Sequence, residues 1–108
     1  MKAVFLTLVI LCVSNISSQT AEQFSKKGDK NNAQGNYKKA ISNFTKANKL
    51  DSEDVIVNGY AYVARGRVKL KLNDYTGAVA DLSKGIDILP NENANFRYRR
   101  AVAKSELK

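Results

Sequence analysis

The sequence predicts an all-α protein built of antiparallel helix-turn-helix repeats, stacked as a short right-handed solenoid of two units plus a half-repeat or capping helix. Three observations carry that expectation. A block from Gly28 to Leu50 recurs from Gly66 to Ile88 at a constant spacing of 38 residues, pairing Tyr37 with Tyr75, Ala40 with Ala78, Phe44 with Leu82 and Lys46 with Lys84. Within each block apolar residues fall at i, i+3, i+4 and i+7 from Tyr37 or Tyr75, the spacing of a helix with one buried face. Pro90 is the single proline, and alternating Val/Ile/Thr/Tyr runs that would mark strands are missing.

The elements follow in order. Ala21 to Gln34 forms the first helix. The turn Gly35-Asn36 leads into a second over Asn36 to Leu50, with Asn36 placed to accept from the first free backbone amides. A third runs from about Val55 to Leu72, with acidic residues from Asp51 to Asp54 at its start. The turn Asn73-Asp74 opens a fourth over Asp74 to Leu89, with Asp74 in the cap position and Pro90 closing it. Two helices joined by a tight turn make an antiparallel hairpin. Gly28, Gly66, Ala40, Ala78, Ala47 and Gly85 supply the small residues that let paired helices approach. A third unit begins and stops: Phe96 to Leu107 matches Ala61 to Leu72 at a spacing of 35, pairing Arg100 with Arg65 and Lys104 with Lys69. Either it caps the last hydrophobic face, or the chain is a truncated piece of a longer repeat protein; the wetted row of Arg97, Arg99, Arg100, Lys104 and Lys108 favours the cap.

Residues 1–19 read as a signal peptide ahead of a domain over 20–108. Lys2 supplies a positive start, Ala3 to Val13 an apolar run, and Ser14 to Thr20 a small, polar stretch. The run is shorter than the ~20 residues a bilayer span requires. Secretion or release to a periplasm is therefore expected. The alternative is a membrane anchor through an uncleaved or lipidated N-terminus, with Cys12 as the lipid acceptor; Leu11 stands just before it, where such signals carry a small residue.

Composition closes off much chemistry. There is no His, no Trp and a single Cys among 108 residues, so Cys or His nucleophilic catalysis, zinc binding and a disulfide framework lack their parts. No cofactor and no metal site is expected. Ten Asp and Glu remain. General acid/base work wants a carboxylate pair facing a pocket, whereas Asp51, Glu53 and Asp54 sit at an interhelix turn and Asp81 and Asp87 belong to an outer helix, where helix capping explains them. Asn43-Phe44-Thr45 is formally a glycosylation sequon, set mid-helix with Phe44 on the packing face. The net charge of +8 points either to a solvated basic surface or to affinity for something acidic, whether protein, anionic lipid or nucleic acid.

Taken together, the repeated residues resemble the tetratricopeptide repeat. In the first repeat, 21–54, Phe24, Gly28, Tyr37, Ala40, Phe44, Ala47 and Leu50 stand in the family's places, with Ser52 where proline is usual. In the second, 55–92, Tyr62, Gly66, Tyr75, Ala78, Leu82, Gly85 and Pro90 do so, Gly85 replacing an alanine. The half-repeat or cap occupies 94–108. The spacing exceeds the family's usual ~34 residues, and one added helical turn between Ser52 and Gly59 accounts for the excess. Lys27 and Asn31 stand in the first helix where apolar residues are usual, which suits a terminal helix facing water.

The resemblance implies a non-catalytic adaptor or scaffold that holds a segment of another protein in a concave groove lined by the first helices of successive repeats. By register the groove residues are Ser25, Asp29 and Asn32, then Tyr60, Val63, Arg67 and Lys71, then Asn95, Tyr98, Arg99 and Val102. Tyr60, Val63 and Tyr98 could equally be core residues of so short a stack. The chaperone-tail clamp of some relatives is absent, because Ser25, Asp29 and Ala64 stand in its places. The expected partner is a protein or peptide, acidic in view of the charge, and not nucleic acid; self-association is a further route to stability for so small a core.

Overall fold

The computed structural model describes residues 20–50, 54–89 and 94–108. The predicted leader over 1–19, the residues 51–53 and Pro90 lie outside them. Among the described residues there are five helices and no strand: α1 (Ala21–Ala33), α2 (Tyr37–Lys49), α3 (Val55–Lys71), α4 (Tyr75–Ile88) and α5 (Ala94–Glu106). The structure is thus the all-α helical repeat that the periodicity predicts, with helix ends within one or two residues of the expected positions.

Local chemistry sets the helix ends. Thr20 and Gln23 form a reciprocal capping box at the start of α1, Thr20 Oγ1 accepting from the Gln23 amide at 3.1 Å and Gln23 Oε1 from the Thr20 amide at 3.0 Å. Asp54 accepts from the amides of Ile56 and Val57 to cap α3, and Asp74 accepts from Gly77 to cap α4. Asn36 departs from expectation: it precedes α2 but its side chain makes no capping bond. The two turns are copies of one another. Gly35 and Asn73, 38 residues apart, both take the left-handed conformation, with φ of 76° and 62°. In each the next amide reaches five residues back, Asn36 to the Asn31 carbonyl and Asp74 to that of Lys69.

Packing follows the hairpins. α1 packs on α2 and α3 on α4, α3 also packs on α2, and α5 covers α4. The core is Ala40, Phe44, Ala64 and Val68 with Tyr37, Ile41 and Tyr60 against it, continued by Ala21, Ala47 and Ala61 with Phe24 and Val57. Close approach depends on missing side-chain carbons: a Cβ on Gly28 would meet the Phe44 ring, one on Gly66 would meet Leu82, and one on Gly85 would meet Val63. α1, α3 and α5 touch in succession, whereas α2 and α4 share no direct contact among the described residues. A row of touching first helices and splayed second helices bends the stack toward the first-helix side.

The added turn is found in α3. It has 17 residues against the 13 of α1, and Val55 to Asn58 precede Gly59, the register partner of Ala21. Val55 and Ile56 on this turn are 60% and 67% exposed.

Candidate functional site: a groove between the first helices

On the first-helix side α1 and α3 enclose a groove of about 240 Å³, lined by Glu22, Ser25, Lys26 and Asp29 from α1 and by Ile56, Val57 and Tyr60 from α3. The repeat register brings these side chains together, because α1 and α3 are the leading helices of successive hairpins and lie side by side. Ile56 and Val57 supply an apolar wall that only the added turn of α3 provides. Glu22, Lys26 and Asp29 make the opposite rim polar.

Two polar rungs hold the groove at its width. The Tyr60 hydroxyl donates to Asp29 Oδ1 at 2.8 Å, and Lys71 Nζ donates to Asn32 Oδ1 at 2.9 Å while lying 5.4 Å from the centre of the Tyr37 ring. Burial and the bond to Asp29 push the Tyr60 hydroxyl above its ordinary pKa of 10.0, so it is a neutral donor at physiological pH. Ser25 is 5% exposed, and its hydroxyl has no hydrogen-bond partner among the described residues although it lines the groove. A buried unpaired hydroxyl costs about 1–3 kcal/mol.

The predicted groove residues therefore divide. Ser25, Asp29 and Tyr60 line the groove, Asn32 and Lys71 form the next rung, and Arg67 is half-buried near Tyr60. Val63 is a correction: it is fully buried and packs against α4 at Gly85, so it belongs to the core and not to the groove wall. Asn95, Tyr98, Arg99 and Val102 lie on α5 and are not part of this groove; Tyr98 is 69% exposed. Glu22, Lys26, Ile56 and Val57 were not expected. The signal for the last two was the insertion before Gly59, which places a Val-Ile-Val run at a helix start.

The repeat positions behave as the register requires. Ala40, Phe44, Ala78 and Leu82 have no exposed surface and Ala47 has 1%, while Phe24, Tyr37, Tyr62 and Tyr75 are half-buried. Two polar expectations change. Asn31, expected to face water, accepts from Asn43 Nδ2 at 2.7 Å across the α1–α2 pair. Asp81, expected to serve helix capping, is 4% exposed on α4 and is gripped by Arg65, whose Nε and Nη2 donate to its two oxygens at 2.7 and 2.6 Å, and by Lys69 at 3.0 Å. The same bond raises the Arg65 pKa. Asn43 and Asp81 are register partners 38 residues apart, so each hairpin carries one polar tie at the same height. In the sequon Asn43-Phe44-Thr45, Phe44 is fully buried and the Asn43 amide is engaged. No helix among the described residues is long and apolar enough to cross a membrane.

Hairpins of this kind, tied in pairs and stacked with their first helices inward, define a helical-repeat module. The tetratricopeptide repeat family's sequence profile matches residues 59–92, the second hairpin with all but the added turn of α3. That segment is similar to a tetratricopeptide repeat, and α1 with α2 repeats its architecture at the 38-residue register. No curated protein matches the chain.

Proposed function

We propose that this protein is a non-catalytic interaction module that acts outside the cytoplasm once residues 1–19 are removed, holding a short segment of a partner protein between α1 and α3. The observation that supports it best is the groove itself. Its volume of about 240 Å³ is below the ~300–1,000 Å³ of small-molecule sites, and suits two or three side chains of an extended segment. An apolar wall of Ile56 and Val57 and a rim carrying Glu22, Lys26 and Asp29 give such a segment both apolar and polar contacts. The net charge, +8 for the full chain and +7 once Lys2 leaves with residues 1–19, favours an acidic partner through long-range steering, and leaves binding of anionic lipid or nucleic acid as the competing reading. The leader reading rests on the charge, apolar run and polar stretch of residues 1–20.

Crosslinking in the producing cell, with a C-terminally tagged full-length chain and intact mass recorded on the recovered protein, tests both halves. A chain short of its first seventeen to twenty residues, joined to one protein, is the expected result. An uncleaved chain recovered with nucleic acid, its binding lost steeply with salt, would contradict it.

A further inference from the structure

Arg67 and Lys71 carry the groove side of α3 onward from Tyr60, at helical spacings that keep all three on one face. Burial and Asp29 raise the Tyr60 pKa while Arg67 lowers it, so the guanidinium stands within reach of the groove's own hydroxyl, and Lys71 reaches Asn32 across the groove. The two arginines of α3 are matched differently. Arg65, on the opposite face, is held by both oxygens of Asp81 at 2.7 and 2.6 Å. Arg67 is half-buried as well, yet neither it nor Lys71 makes an ion pair among the described residues, and the Arg67 Nε is buried with no hydrogen-bond partner there. A cation partly withdrawn from water favours an anion beside it. At the other end of the groove the charges are already matched, Lys26 with Glu22 at 3.5 Å and Asp54 with the first amides of α3. The groove is therefore apolar and balanced at Ile56 and cationic at Arg67.

We propose that the partner segment in this groove carries an Asp or Glu roughly three to five residues from its apolar anchor, the anchor lying on Ile56, Val57 and Tyr60 and the carboxylate between Arg67 and Lys71. This deepens the reading of the groove as a partner-protein site and rests on it. At ~1.5 Å per residue Arg67 and Lys71 stand about 10 and 16 Å along α3 from Tyr60, a distance that an extended segment at ~3.3 Å per residue covers in roughly three to five residues. The chain's own acids outside the described residues are poorly placed to serve. Residues 1–19 hold no Asp or Glu, and Asp51, Glu53 and Glu92 are tethered through Asp54 and Leu89, which lie at the Ile56 end of α3.

A random peptide library displayed on phage, selected against the protein expressed from its full-length chain, supplies the probe; the most enriched peptide is then labelled and its binding read by fluorescence anisotropy. Enriched peptides should share an apolar residue and an Asp or Glu at the stated spacing. Replacing that acid by its amide, or Arg67 by Gln (Arg67→Gln), should each weaken binding about tenfold, and the two together little further, because they remove the same contact. Lys71→Glu should turn the preference from the acidic peptide to its Lys counterpart, a reversal that lost packing does not produce. Lys39→Gln on α2 removes a charge elsewhere and should leave affinity unchanged. Ile56→Asp separates this proposal from the groove reading beneath it. If Ile56→Asp abolishes binding while Arg67→Gln and Lys71→Glu leave it intact, the groove stands and the carboxylate site falls; if Ile56→Asp changes nothing, both fall. The proposal is also overturned if enriched peptides lack an acid, if Lys39→Gln weakens binding as much as Arg67→Gln, or if no peptide is enriched, as when a further segment of this same chain fills the groove.

Discussion

Removing Asp81 should be the most damaging single change in the fold's polar chemistry. Its carboxylate is 6% accessible and the Arg65 and Lys69 side chains facing it are 16% and 20% accessible, so the ions are largely withdrawn from water. Asp81→Ala leaves two cations without their anion; Arg65 keeps its bond to Thr45 and its place over the Tyr62 ring. Breaking a buried pair from one side costs about 3–5 kcal/mol, and because both cations retain a path to solvent the lower end, about 3 kcal/mol, is expected. A folded unit over residues 20–108 has a total stability of roughly 4–13 kcal/mol at ~0.05–0.15 kcal/mol per residue, so the loss is a large share of the whole. At about 4–8 °C per kcal/mol, Tm should fall by about 12–24 °C, measured by thermal and urea unfolding followed by far-ultraviolet circular dichroism. Arg65→Met with Asp81→Leu replaces the pair by apolar groups of similar size and should recover most of the loss. A cost below about 1 kcal/mol for Asp81→Ala, the range of an exposed ion pair, would refute the reasoning and mean that water screens the cluster.

Other outcomes follow from single contacts. Gly85→Ala puts a methyl group against Val63 and should destabilise by about 1–3 kcal/mol by urea unfolding, a cost that adding Val63→Ala should offset in part. Equal costs in the presence and absence of Val63→Ala would deny the contact. Tyr60 has a folded pKa raised above its unfolded value, so its contribution is fully present below about pH 10 and is lost as pH rises through the folded pKa. Tyr60→Phe should therefore flatten the fall in stability above pH 10, measured as urea midpoint against pH; an unchanged slope would count against the Asp29–Tyr60 rung. Ile56→Asp, at an exposed site in the first turn of α3, should change stability by no more than about 0.5 kcal/mol while cutting partner capture by the groove, since it places a charge on the apolar wall. Gly35→Ala forces a side chain into the left-handed turn and should cost about 1–2 kcal/mol, against little effect for Asn73→Gly in the equivalent turn.

Most of the architecture was legible because a repeat reports itself twice. Gly28 with Gly66, Ala40 with Ala78 and Phe44 with Leu82 fix both the helical faces and the depth of packing, and the 38-residue spacing located the added turn before Gly59. The turns were legible for the same reason: Gly35 and Asn73 are residue types that tolerate positive φ. Polar positions were harder to read, since a side chain's partner lies on another helix. Asp81 looks like a surface acid on α4 until Arg65 is placed beside it, and Asn31 looks like solvent-facing padding until Asn43 is. Asn36 shows the converse limit: its position is right for a cap, yet the side chain does not turn in. Val63 was misplaced because register alone does not separate a groove wall from a core face a third of a turn away. The opposing small residue, Gly85, was the signal that a helix packs there. Ile56 and Val57 were unreadable as groove residues because an inserted turn has no counterpart in the first repeat.

The α1–α3 groove is proposed to hold a partner protein. A photo-crosslinking amino acid at position 56, in the groove, and another at position 84, on the outer helix α4, tests it most directly in cells producing the full-length chain. One dominant protein adduct is expected from position 56, none from position 84, and loss of the first when Tyr60 is replaced by Ala. Equal adducts from the two positions, or adducts to nucleic acid or lipid alone, would contradict it.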